Sequence, residues 1–96
     1  MIDDLAAAFD EADKSDVTFK GATNKLSNRR DLCALLLLDK LLPGEGCIIR
    51  AAEHDVVYLE IEPEALAGVA TQADILLLCQ CGVQFDDYGD SLVIQV

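Results

Sequence analysis

An unbroken apolar run over residues 32–38 restricts how this chain can fold more than any other feature. It lies in a segment that opens at Asn28 and meets a stop at Pro43-Gly44. Wound at about 3.6 residues per turn, Leu32, Cys33, Leu35, Leu36, Leu37, Leu38, Leu41 and Leu42 occupy nearly the whole circumference, and only Asp39 and Lys40 interrupt them. Such a helix has to be covered on more than one side. One sheet face cannot do that alone, so either an N-terminal helix or a second subunit completes the cover. The expectation is a symmetric homodimer, the commonest way to bury such a surface, with Leu35, Leu37, Leu38 and Leu41 at the interface. The run is far shorter than the roughly 20 apolar residues of a membrane span. Asn28 is the expected N-cap, and Asp31 favours the first turn through the helix dipole.

The flanking segments read as an α+β chain. Ile2, Leu5, Ala6, Phe9 and Ala12 recur near helical spacing with acids on the opposite face, which predicts an amphipathic helix over residues 3–13. Residues 15–27 form a mixed, basic connection. Residues 47–52 and 56–62 read as a hairpin across Glu53-His54-Asp55, with Val57, Leu59 and Ile61 on one face and Val56, Tyr58, Glu60 and Glu62 on the other. Pro63 suits a first helical position. Thr71 and Asp74 have capping-box spacing, and Gly82 is a C-terminal stop. Residues 83–86 and 91–96 close the chain as a second hairpin over Asp87-Tyr88-Gly89. A Leu-rich helix, a glycine stop and a hairpin thus occur twice. Two such units predict a four-stranded antiparallel sheet with helices on one face, in one domain over residues 1–96. Residues 1–14 are then an accessory helix and 28–96 the core.

Charge separates the classes of function. Of 18 acidic residues five fall in residues 1–13 with no base, and nine in residues 51–96 with no Lys or Arg, while all seven bases fall in 14–50. The net charge of −11 argues against direct nucleic-acid binding and favours electrostatic steering toward a basic surface. With 52% apolar residues and a mean hydropathy of +0.27, the chain is not of the intrinsically disordered class. An acidic N-terminus, where a targeting segment would be basic, gives the expectation of a cytoplasmic protein. The expected partner is a host protein with a basic surface, with no membrane and no cofactor.

Cys33, Cys47, Cys79 and Cys81 read as reduced core residues in apolar surroundings. Cys79-Gln80-Cys81 is the sharpest chemical candidate, for zinc or redox work. Zinc sites, however, want about four ligands and usually Cys-x-x-Cys spacing, and helical positions two apart diverge. His54 sits in the predicted turn, with only carboxylates as neighbours. Asp86, Asp87 and Asp90 lack the spacing of a calcium loop. Glu60 and Glu62 share one side of a strand, and Glu64 follows. These six acids, Glu60, Glu62, Glu64, Asp86, Asp87 and Asp90, are the expected partner-binding residues. Lys20, Lys25, Arg29 and Arg30 form the one basic cluster, with Phe19 the sole aromatic among them. No catalytic constellation is present, so the expectation is a non-enzymatic interaction protein. A homo-oligomeric scaffold is the alternative, and a metal or redox protein using Cys79 and Cys81 a third.

Ala52 to Asp55, Val57-Tyr58-Leu59, Cys81-Gly82-Val83 and Asp90-Ser91-Leu92 give residues 31–96 a likeness. The chain resembles small acidic accessory proteins of bacteriophages and prophages. That resemblance implies an inhibitor or modulator of a host protein, of the anti-CRISPR or other anti-defence kind, some of which mimic DNA with ordered carboxylates. It carries no functional residue across.

Overall fold

Capping decides where the first helix begins. The computed structural model describes residues 2–14, 18–86 and 91–95. In it α1 spans Leu5–Asp13, and the Asp4 carboxylate accepts a hydrogen bond from the Ala7 N–H at 3.1 Å. Asp4 therefore caps the helix, satisfying an amide that has no intrahelical partner. The buried stripe is Leu5, Ala8, Phe9 and Ala12, with Asp10, Glu11 and Asp13 outside. A short 3₁₀ turn, Phe19–Gly21, leads to α2, Arg30–Leu41. Here the expected Asn28 cap is not used. Arg29 precedes the helix without a side-chain cap, and the Ser27 hydroxyl accepts from the Arg29 N–H at 3.1 Å.

The first hairpin is β1, Ile49–Glu53, and β2, Val56–Leu59, with a bulge between Ile49 and Ala51. Pro63 opens α3, Pro63–Val69, as its position implied. Thr71 then restarts the chain as α4, Gln72–Gln80: its hydroxyl accepts from the Asp74 N–H at 3.2 Å and the Asp74 carboxylate accepts from the Thr71 N–H at 2.9 Å. Gly82 has φ +91°, and a β-carbon there would stand 3.1 Å from the Gln95 carbonyl oxygen. Only glycine meets both demands without strain. The second hairpin is β3, Val83–Phe85, and β4, Leu92–Gln95; its expected turn at Asp87-Tyr88-Gly89 lies outside the described residues.

All pairings are antiparallel, and the four-stranded sheet runs β1-β2-β4-β3. The two helix-and-hairpin units meet along β2 and β4, leaving β1 and β3 as opposite edges. Register places Val57, Ile94 and Val83 in one cross-strand row, with Leu59, Leu92 and Phe85 on the same side. Leu59, Leu92, Ile94 and Val83 are fully buried with Leu38, Leu66, Ile75 and Leu78 of the helices. The helices thus cover one face, as expected of this α+β chain. On the other side Tyr58, Val93 and Gln84 form a row, and Val93 is 1% exposed between its neighbours.

The helical layer is arranged differently from the expectation. α1 packs on α4 and α3, its N-terminus held by an Ile2 N–H to Ala67 carbonyl bond of 2.8 Å. Its apolar stripe belongs to the same core as the sheet, so it is more than an accessory. It does not shield the outer side of α2. Leu37 and Leu38 point into the chain's own core at 4% and 0% exposure and are not available to a partner. Leu35 and Leu41 are half-buried, and the residues α2 turns outward are Leu32 and Leu36.

Candidate functional site

The carboxylates that come together in space are not the set that the sequence grouped. α1 lies against edge strand β3, fixed by an edge-to-face contact of Phe9 with Phe85, ring centroids 5.6 Å apart at 80°. Asp10 follows Phe9 in sequence and Asp13 lies one turn beyond it, so both flank this contact. Between α1 and β3 is a cleft of about 310 Å³, bordered by Phe9, Asp10, Asp13, Cys79, Phe85 and Asp86. Three carboxylates from two elements some seventy positions apart, roughly the span from α1 to β3, therefore share a rim with two aromatic rings.

The sheet extends this acidic surface. The chain leaves β3 at Asp86, whose N–H donates to the Ser91 carbonyl at 2.8 Å while its carboxylate accepts from the Ser91 N–H at 3.4 Å. β2 and β4 run antiparallel with Tyr58 opposite Val93. Continuing that register brings Glu60 beside Ser91, so Glu60 and Asp86 flank one residue at the same end of the sheet. Glu62 precedes α3 and Glu64 lies in its first turn, both exposed. Of the expected residues, the continued register sets Glu60 and Asp86 on either side of Ser91, Glu62 precedes α3 and Glu64 stands in its first turn. Asp87 and Asp90 lie outside the described residues. Asp10 and Asp13 were missed, although the five acids without a base in residues 1–13 were a signal. One base enters: the Arg50 guanidinium donates to the Ser91 hydroxyl at 2.9 Å, next to Glu60.

The cysteines divide by environment. Cys79 and Cys81 point to different sides, as their spacing requires. Cys79 is half-buried with its Sγ 3.9 Å from the Phe9 carbonyl, and its thiol is pushed up to about 11 by burial first and then by the Asp13 charge. Cys81 faces Cys33, and burial with the Cys33 thiol as hydrogen-bond neighbour pushes it up to about 12. Neither is poised as a thiolate, the reactive and metal-binding form. Cys47 departs from its expected place in the core and is exposed. Among the described residues no group of three or more His, Cys, Asp or Glu is arranged to hold a metal ion.

His54 is exposed on the first hairpin's turn. Within the basic cluster, Lys25 sits over the Phe19 ring at 4.4 Å, and Arg30 donates to the Gln95 carbonyl at 2.9 Å. Among the described residues no helix is long and apolar enough to cross a membrane. Comparison with known protein families, curated proteins and solved structures finds no match to this chain.

Proposed function

We propose that this chain is a non-catalytic interaction protein that sets the acidic cleft between α1 and β3, with the adjoining sheet end at Glu60, against a basic site of another protein. The observation that carries the reading is the convergence of Asp10, Asp13 and Asp86 around Phe9 and Phe85 at an edge strand. Carboxylates steer a basic partner and set its orientation. The half-buried Phe85 ring, backed by the buried Phe9, offers apolar surface to the stem or head of an inserted Arg or Lys, and the open edge of β3 offers unpaired peptide groups to an extended segment. A net charge of −11 repels nucleic acid itself, so the fitting partner is a protein whose own ligand is acidic. A host protein of that kind, such as a nucleic-acid-binding defence or regulatory complex, is the partner that a small acidic phage protein would meet.

Affinity capture from bacterial lysate at low and high salt tests the reading, comparing the parent chain with Asp10→Asn/Asp13→Asn/Asp86→Asn and with Glu60→Gln/Glu62→Gln. The expected result is one basic protein retained at low salt, released at high salt and captured poorly by the triple variant. A partner held equally by all three chains at both salts would sink the proposal.

A further inference from the structure

Strand β1 is the edge opposite β3, and its surroundings have another chemistry. Leu32 and Leu36 of α2 are 42% and 40% exposed, and Ile49 of β1 is 45% exposed. Leu35, one turn from Leu32 on α2, borders the same dent as Cys47 and Ile49, so Leu32, Leu35 and the start of the strand form one apolar surface. Residues 29–53 carry Arg29, Arg30, Lys40 and Arg50 against Asp31, Asp39, Glu45 and Glu53. This stretch is neutral inside a chain of net charge −11. A surface that meets its own copy cannot carry a large charge of one sign, whereas one made for a basic partner would be acidic. β1 is exposed along its whole length. Its hairpin closes on Glu53 opposite Val56, which aims the peptide groups of Ala51 and Glu53 at β2 and those of Ala52 outward.

We propose that this edge is covered by a second copy of the chain, the two β1 strands pairing antiparallel with Ala52 opposite Ala52 of the second copy. The two-fold axis of such a pair stands perpendicular to the sheet and keeps the helices of both copies on one side. The β1 sides of the two α2 helices therefore meet as the strands do, through Leu32 and Leu35. In the same register Glu53 lies opposite Ala51 of the second copy and diagonal to its Arg50, within reach of a long side chain. Arg50 already lies on the side away from the helices, where it donates to Ser91. Two symmetric ion pairs follow. The bulge at Arg50 shortens the backbone ladder, so the leucines carry most of the association. Pairing there leaves a β3 cleft at each far end of a doubled sheet, which makes the dimer bivalent.

Light scattering and sedimentation of the full chain from micromolar to near-millimolar concentration test this pairing. The expected mass rises to twice the 10.4 kDa of one chain. Leu32→Glu and Ala52→Pro each return it to a single chain with unchanged circular dichroism, the proline being tolerated because the Ala52 N–H leaves the sheet. Glu53→Arg weakens the dimer, and adding Arg50→Glu restores it. A mass of 10.4 kDa at every concentration overturns the proposal, as does a dimer that survives Leu32→Glu. Should Ala52→Pro fail to fold, the exposed Leu32→Glu decides alone. None of these variants touches Asp10, Asp13 or Asp86, so failure here is separate from failure of the acidic cleft to bind.

Discussion

At one edge of the sheet, β3 is a strand of three residues with α1 beside it, and Asp10, Asp13 and Asp86 border the cleft between them. At the other edge, β1 is five residues long and exposed throughout, and α2 beside it turns Leu32 and Leu36 outward. Both strands end an antiparallel ladder, and both belong to a helix-and-hairpin unit of the same plan. What separates them is the neighbouring helix. A helix whose inner stripe joins the core and whose outer face is acidic makes its edge attractive to a basic partner. A neutral helix with an exposed leucine stripe makes its edge attractive to apolar surface. The character of a sheet edge is thus set less by the strand than by what lies next to it, a difference that charge repulsion and apolar burial express on different scales.

The largest effect that can break this comparison is expected at Phe9. Phe9→Ala removes a 5% exposed ring and its contact with Phe85, and core truncations of this kind cost about 3–5 kcal/mol. Chemical denaturation should therefore show α1 to be integral to the core. A loss below about 1 kcal/mol would mean that α1 is only loosely held, and the acidic cleft would lose its wall.

A smaller loss is expected where the two units meet, at Cys33 of α2 and Cys81 after α4, both 0% exposed. Cys81→Ser places a hydroxyl in that seam at a cost of about 1–3 kcal/mol. The thiol also imposes a pH dependence. Its folded-state value is raised from 9.0 to about 12, so the proton is held where the unfolded chain would release it. The stability this contributes is complete below pH 9.0 and is lost as the pH climbs from 9.0 toward 12. Thermal unfolding followed over that range should fall less steeply in Cys81→Val than in the parent. Equal slopes would show that burial does not shift the thiol.

Smaller still are the stability changes expected of the acidic rim. Asp10→Asn, Asp13→Asn and Glu60→Gln alter exposed groups, and each should shift stability by no more than about 0.5 kcal/mol. Their effect belongs in association rate and its salt dependence. A large change in melting temperature would assign these carboxylates to folding. The least perturbing test uses thiol chemistry: at native pH a maleimide should label Cys47, the exposed thiol, well before Cys33 or Cys81. Slower labelling of Cys47 as protein concentration rises would sharpen the contrast between edges, because Cys47 borders the dent beside β1.

Much of the local structure was legible in the residues. The alternation from Val56 to Leu59, Pro63 at the head of α3, the Thr71 and Asp74 pair, and Gly82 after α4 each carry their meaning within a few positions. Hydrogen-bond partners three or four residues away are enough to state them. The N-cap of α2 was misread for the same local reason. Asn28 has the right chemistry, yet the chain enters the helix at Arg29, where Ser27 rather than Asn28 meets the free amide.

By itself, then, the sequence determined the two helix-and-hairpin units, the acidic opening helix and the uneven distribution of charge. Only the tertiary structure decided that Asp10 and Asp13 meet Asp86, that Leu37 and Leu38 turn inward, and that Leu32 and Leu36 turn outward. The reason is physical. Periodicity specifies which residues share a face of their own element, but a leucine helix apolar all round leaves its orientation undetermined. Strand order and the packing of α1 on α4 settle it, through contacts between segments that no local pattern relates.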